Sequence, residues 1–176
     1  MADRMAAEIW IGGKLSRSLL DEFPISDLRL DWDETPIAST SEDGILSARD
    51  ESGLLHFADC EAAWGEFEEL EGWLREHKIP FQRQTSGKYE YDPCFVEFRP
   101  DLPGKADRCM LTTQNGAPVI CCEEIEKAMH GMAKLVNDKR RTAEKRLQAW
   151  ERIYRRLSRS MPSRLPPLPA FEIVDG

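Results

Sequence analysis

Short stretches near the start of the chain have the hydrophobic pattern of β-strands. Residues 8–15 place Ile9 and Ile11 on one face, and residues 28–32 alternate between apolar and polar positions. Alternation with a period of two is typical of a strand buried on one side. Residues 54–58 form a short apolar run of the kind found in buried strands. The pattern therefore predicts three strands before residue 60.

A β-hairpin is predicted further along the chain. Residues 81–84 and 88–98 are rich in aromatic and β-branched side chains, and Ser86-Gly87 between them suits a turn. A further strand is predicted from Arg108 to Thr112. Residues 33–53 are rich in Ser, Asp, Glu and Gly and are predicted to be mainly a long loop, with a short helical turn around Ile45-Leu46.

Apolar residues recur at helical spacing after the third strand. Asp59 is the expected N-cap of a helix over about residues 61–77, because an Asp at this position accepts hydrogen bonds from the first backbone N–H groups. The apolar stripe of this predicted helix consists of Ala63, Phe67, Leu70 and Leu74.

The second half of the chain has a longer helical pattern. From Ile125 to Met161 apolar residues recur every three or four positions, apart from one gap of seven in which Lys139 takes the expected core position. This pattern fits either one long helix over about residues 123–160 or a helical hairpin broken at Asn137-Asp138. Residues 162–176 are Pro-rich and predicted to be extended, with a strand at 171–174.

Together these elements predict an α+β protein with a mostly antiparallel sheet and helices packed on one face. A long amphipathic basic C-terminal helix or helical hairpin and an extended Pro-rich tail follow. The predicted segments are an acidic α+β domain at 1–100, a connector at 101–122, a basic helical segment at 123–161 and the extended tail at 162–176.

Charge divides the chain more sharply than its net value suggests. The net charge of −8 comes from 24 Lys and Arg against 32 Asp and Glu. Residues 1–100 hold 22 acids and 10 bases, a net of −12, whereas residues 134–164 hold 11 bases and three acids, a net of +8. Such asymmetry indicates a charged partner, docking of the basic segment on the acidic part of the same chain, or an ordinary solvated face.

The basic segment offers one set of candidate binding residues. On a helix they fall near one another on the outward face, with Trp150 and Tyr154 expected to face inward. Cations without exposed aromatic neighbours suit contact with phosphates or docking on a protein better than base reading. The set is Arg141, Lys145, Arg152, Arg156 and Arg159.

The predicted helix at 61–77 offers a second, acidic set. Proteins that imitate the phosphate backbone present such carboxylates to the basic grooves of nucleic-acid enzymes. The alternative is simply the exposed face of an amphipathic helix. The set is Glu66, Glu68, Glu69, Glu71 and Glu76.

Candidate catalytic groups are sparse. His56 and Cys60 lie four residues apart, and residues 31–34 hold three acids that could bind a hard cation, but no spacing among them is diagnostic. Cys121 or Cys122 could be a reactive thiol at the start of the long helix. The five cysteines contain no C-x-x-C pair, and the sequence predicts no catalytic residue, no metal and no cofactor.

The sequence therefore predicts a soluble cytoplasmic protein without an enzymatic activity, a leader peptide or a transmembrane segment. The expected function is macromolecule binding through charged surfaces, as an inhibitor or as an accessory protein of a bacterial or phage mobile element. A protein partner is favoured, nucleic acid binding through residues 134–164 is the first alternative, and a small enzyme with a cleft site is the second. The apolar heptads leave room for a homodimer.

Overall fold

The computed structural model describes residues 3–26, 28–30, 32, 35–88, 91–102, 107–120, 122–160 and 165–175, with the side chains of Arg159 and Ser160 outside that part. The chain comprises two compact units. Residues 1–117 together with 166–176 form the first unit, and residues 118–165 form the second.

The described part of the first unit contains seven strands. They are β1 (Arg4–Ile11), β2 (Gly13–Ser16), β3 (Leu55–Ala63), β4 (Phe81–Thr85), β5 (Cys94–Phe98), β6 (Asp107–Leu111) and β7 (Phe171–Val174). Five of them form an antiparallel sheet in the order β3-β1-β4-β5-β6. The predicted α+β class and mostly antiparallel sheet are confirmed. The sheet extends past residue 100 because β6 pairs with β5.

Alternating side chains of the central strands build the core. Ile9 and Ile11 are fully buried on β1, as their spacing predicts, and Ile9 lies opposite Phe57 of β3. Ile11 lies opposite Phe81 of β4, which is also fully buried. Each such side chain contributes roughly 1.5–3 kcal/mol by leaving water.

The remaining two strands form a small parallel sheet. The register of β2 and β7 runs from Gly13 opposite Phe171 to Ser16 opposite Val174. Phe171 is fully buried, so the last strand returns to the core of the first unit. Ser16 also caps the 3-10 helix at Arg17–Glu22, where its hydroxyl accepts a hydrogen bond from the backbone N–H of Ser18.

Two short helices belong to the same unit. Helix α1 (Glu42–Leu46) confirms the helical turn around Ile45-Leu46, and helix α2 (Glu68–Glu76) packs Leu70 and Leu74 into the core. The strand expected at 28–32 is wrong: of its described residues, Arg29 forms one bridge with Pro36. The backbone N–H of Leu30 donates a hydrogen bond to the carbonyl of Thr35 at 2.8 Å, so a local contact satisfies it in place of a neighbouring strand.

The helix expected over residues 61–77 begins later than predicted. β3 continues to Ala63, and Asp59 lies within it opposite Ala7, so Asp59 caps no helix. A turn with positive φ at Trp64 (57°) and Gly65 (66°) then separates the strand from α2. Pairing with β1 satisfies the backbone groups of these residues and overrides their helical spacing.

The second unit contains helices α3 (Cys122–Asn137) and α4 (Ala143–Ser160). The chain turns between them at the position marked by Asn137-Asp138. The carboxylate of Asp138 accepts a hydrogen bond from the backbone N–H of Arg140 (3.0 Å), and the hydroxyl of Thr142 accepts one from Lys145 (3.3 Å). Among the described residues, no helix has the length and apolar content needed to cross a membrane.

Candidate interaction surfaces

The acidic residues of α2 do not form one exposed array. Glu71 is buried against Arg83 of β4, with 2.6 Å between Arg83 Nε and a Glu71 carboxylate oxygen, and both side chains are at most 5% exposed. Glu66 also reaches Arg83, at 3.4 Å. The expectation that all five carboxylates lie on an accessible face is therefore wrong for Glu71, because the core needs it to neutralise a buried guanidinium.

The same ion-pair network continues to the edge of the sheet. Arg75 contacts Glu71 at 3.2 Å and donates a hydrogen bond to Asp107 of β6 at 3.0 Å. Burial lowers the pKa of Arg75, but the hydrogen bond to Asp107 and the charge of Glu71 outweigh that effect and raise it above its ordinary value. The network ties α2 to β4 and β6. In the sequence, the signal for this network is Arg83, because it alternates with Phe81 and Thr85 and so falls on the inner face of β4. A guanidinium on a buried face requires a carboxylate partner.

The remaining acids of the set are exposed to solvent. Glu68, Glu69 and Glu76 are exposed on α2, and Glu66 is exposed except for its contact with Arg83. Glu68, Glu69 and Glu76 together form a weaker electrostatic feature than the array predicted from the sequence. The other two charges of the set, on Glu66 and Glu71, are already compensated by ion pairs.

The candidate catalytic pair is not brought together. His56 and Cys60 lie on the same strand, and four residues of strand span about 13 Å. His56 instead stacks on Trp10, with 5.0 Å between ring centroids, and lies 3.3 Å from Glu8. The His56 imidazole therefore packs against side chains of the neighbouring strand β1.

The other candidate chemical groups fall partly outside the structure. Asp31, Asp33, Glu34 and Cys121 lie outside the described residues, and Cys122 is exposed at the first position of α3. Within the described residues no three His, Cys, Asp or Glu side chains are grouped so that they could hold a metal ion.

The helical hairpin has a seam where its two helices meet. Gly131 and Ile153 face each other there, since a Cβ added to Gly131 would lie 3.1 Å from Ile153 Cδ1. No described side chain of either helix is fully buried, so the seam is marked by the positions that are partly buried. We define the seam as Ile125, Ala128, Gly131, Met132 and Leu135 of α3 with Arg146, Ala149, Ile153 and Leu157 of α4.

Large apolar side chains are exposed on one side of this seam. Each of them directly follows a seam residue, which places it about 100° further around its helix. In an antiparallel helix pair, that rotation leads to the same side of both helices, so the five side chains share one surface. This apolar face consists of Met129, Val136, Leu147, Trp150 and Tyr154.

The exposure of two aromatic side chains corrects the sequence interpretation. Trp150 is 37% exposed and Tyr154 is 53% exposed, although both were expected to face inward. Their rings stack on each other, with centroids 5.3 Å apart and planes inclined by 7°. The helical periodicity that predicts an apolar stripe does not reveal that one neighbouring helix covers only part of it.

Cations occupy the opposite side of the hairpin. These side chains directly precede seam residues, so on α4 each lies about 200° around the helix from the apolar residue two positions away. Three residues of the predicted set lie here, while the side chain of Arg159 is outside the described part. This basic face consists of Lys127, Lys134, Lys145, Arg152 and Arg156, all exposed. Glu123 and Glu124 share a concavity with two of these cations, Lys127 and Arg156.

The basic face continues into the turn between the helices. A shallow concavity of about 500 Å³ is lined there by Arg140, Arg141, Lys145 and Arg152, together with Thr142, Gln148 and Ala149. Arg141 forms an ion pair with Asp138 at 3.1 Å. Within the described part of the chain, the other three cations contact no carboxylate.

The described surfaces therefore offer charge and apolar area, while the candidate pair His56 and Cys60 is not brought together. The hairpin has both features, on opposite sides. No family model, curated protein or solved structure matches this chain.

Proposed function

We propose that this chain is a non-enzymatic binding protein whose basic face contacts the phosphate backbone of a nucleic acid. The observation that carries the proposal is the group of exposed cations around the concavity at the turn that joins α3 to α4. Arg140, Lys145 and Arg152 are held close together there without a carboxylate among the described residues to neutralise them.

Electrostatics gives the reason for a polyanionic partner. Like charges held close together repel one another, and the repulsion is relieved when a phosphate chain binds and releases its counterions. Guanidinium groups suit this contact because their planar set of N–H donors matches two phosphate oxygens at once. The basic face therefore favours nucleic acid over a compact anionic ligand.

The composition of the basic face also bears on specificity. The aromatic side chains of the hairpin lie on the apolar face, so the basic face lacks the aromatic platforms on which bases stack. Contacts with phosphates fix orientation but carry little sequence information. We therefore expect binding that depends weakly on nucleotide sequence and strongly on salt.

The test is a binding titration of the full chain with a fluorescently labelled duplex and a labelled single strand, from about 50 to about 200 mM salt. Replacement of Arg152 by Ala is expected to weaken binding and to lower the slope of log K against log salt by about 1. The matched control is Arg155→Ala, which removes the same side chain from the same helix at a position where Arg155 contacts Glu151 at 3.6 Å.

Three results would contradict this function. Binding that does not depend on salt, or equal losses for the Arg152 and Arg155 variants, would remove the basic face from the contact. Equal affinity for poly-glutamate, measured in the same buffer, would assign the basic face to an acidic protein partner instead.

The role first expected for the acidic set stays a prediction. An inhibitor that imitates phosphates would use Glu68, Glu69 and Glu76 of α2, the carboxylates that remain fully exposed. The accessory role in a mobile element likewise stays a prediction.

A further inference from the structure

We infer that the apolar face is the contact between two copies of this chain, which pair hairpin against hairpin to form a four-helix bundle. The inference concerns the side of the hairpin opposite the basic face. It therefore stands or falls independently of the proposed nucleic-acid binding.

The first argument is the missing layer of the second unit. Helices with apolar stripes are stable when a second layer covers them, and two helices alone cover only the seam between them. In the first unit side chains such as Ile9 and Phe81 are completely buried, whereas no described side chain of α3 or α4 is. A second copy of the hairpin, packed on the apolar face, would supply this second layer and complete a four-helix bundle.

The second argument is the size of the exposed area. The five side chains of the apolar face are 37% to 68% exposed in the full chain. Fully exposed side chains of this size present roughly 150–250 Å² each, so together the five expose about 500 Å². A stable interface buries about 800 Å² on each partner, and the adjoining seam residues Ile125 and Met132, which are partly exposed, add to the patch.

The third argument is the placement of charge. A second copy would be repelled if the cations of α4 lay within the contact, but Lys145, Arg152 and Arg156 lie on the opposite side. Arg146, a seam residue beside the apolar face, donates a hydrogen bond to the carbonyl of Val136 at 3.2 Å, and Arg155 contacts Glu151. Face-to-face pairing therefore leaves Lys145, Arg152 and Arg156 outside the interface and exposed to solvent.

The composition of the apolar face also favours a second copy of the chain over a nucleic acid as its partner. Bases of a nucleic acid stack on aromatic rings such as Trp150 and Tyr154 but leave the aliphatic side chain of Leu147 uncovered. An identical apolar face is complementary to all three in chemistry and length. Two-fold pairing of identical surfaces is the commonest way in which oligomers close.

Sedimentation velocity of the full chain, from about 1 to about 100 µM, tests the inference. We expect a species of twice the 20.2 kDa chain mass at the upper concentrations. Replacing Trp150 by Glu places a charge in both halves of the contact. An interface anchor of this kind changes affinity by about 30-fold per copy, so the dimer dissociation constant should rise by about 1,000-fold.

The matched control is Gln148→Glu, which adds the same charge to the same helix on the opposite side. It should remain dimeric, and far-UV circular dichroism should show wild-type helicity for both variants, since both side chains are exposed in the single chain. If Trp150→Glu loses helicity, Tyr154→Glu provides the equivalent test at the next turn of the same face.

Three results would overturn the inference. The wild-type chain could stay at 20.2 kDa throughout the concentration range, the Trp150 and Tyr154 variants could both remain dimeric, or Gln148→Glu could dissociate as readily as Trp150→Glu. Titration of Trp150→Glu with a short labelled duplex separates the two proposals, because a monomer that retains the salt slope has lost only the apolar contact.

Discussion

The buried ion pair between Glu71 and Arg83 makes a strong prediction about the stability of the first unit. Glu71→Gln preserves the shape of the side chain but removes its charge. The variant leaves the Arg83 guanidinium in a site where its side chain is 4% exposed, with Glu66 at 3.4 Å as the nearest remaining carboxylate among the described contacts.

The structure sets the size of the effect. Removing one partner of a buried ion pair costs about 3–5 kcal/mol, chiefly because the other charge stays buried without compensation. Here Glu66 is half exposed and Arg83 keeps hydrogen bonds to the carbonyl of Gly65 and the hydroxyl of Thr85. We therefore expect a loss near the lower limit, about 3 kcal/mol in the free energy of unfolding.

Urea unfolding followed by tryptophan fluorescence measures this loss, because four of the five tryptophans belong to the first unit. Glu69→Gln, on an exposed position of the same helix, is the control and should change stability by less than about 0.5 kcal/mol. The double variant Glu71→Gln with Arg83→Met should be no less stable than Glu71→Gln alone. A loss below about 1 kcal/mol for Glu71→Gln, or additive losses in the double variant, would refute the reasoning.

Two further predictions concern single residues of the first unit. Gly65→Ala should lower the free energy of unfolding by at least about 2 kcal/mol in a thermal or urea melt, since φ is 66° and a Cβ would collide with Thr85. Its control is Gly72→Ala, at an exposed helix position where a Cβ would meet nothing within 4 Å. This variant should raise the free energy of unfolding by about 0.5–1 kcal/mol. Burial raises the pKa of Asp50, but hydrogen bonds from Ser52 and from the backbone N–H of Leu54 outweigh it and lower the pKa overall. The ionised carboxylate therefore stabilises the folded state above about pH 4, and this stabilisation is lost as the pH falls through the folded-state pKa. Asp50→Asn should therefore be less stable than wild type at pH 7 and differ less from it at pH 3, and an equal difference at both pH values in urea melts would contradict this.

The sequence predicts the first unit best where short-range patterns decide the structure. The alternation around Ile9 and Ile11 and the strand at 171–174 are predicted correctly, because a strand with one buried face must alternate. The second strand of the predicted hairpin begins at Cys94 and not at Lys88, so the turn expected at Ser86-Gly87 is wrong. The basic face of the hairpin also follows from spacing, since Lys145, Arg152 and Arg156 fall on one face of any helix that contains them.

Long-range partners account for what the sequence could not predict. Ala63 is at helical spacing from Phe67 and Leu70, but residues 61–63 belong to β3, where Ala62 and Ala63 pair with β1. Glu71 resembles its exposed neighbours until Arg83 of a later strand is placed beside it. Trp150 and Tyr154 read as core, and only the arrangement of two helices without a second layer shows them as surface.

The parallel pairing of β2 with β7 has a consequence for the order in which the chain can fold. Arg17 and Asp175, which are hydrogen-bonded at the end of this small sheet, lie 158 residues apart. During synthesis the ribosome must release nearly the whole described chain, including both helices of the hairpin, before Phe171 can fill its site in the core. We expect the nascent first unit to remain incomplete until then, because the pairing of β2 with β7 closes a loop that contains nearly all the rest of the chain.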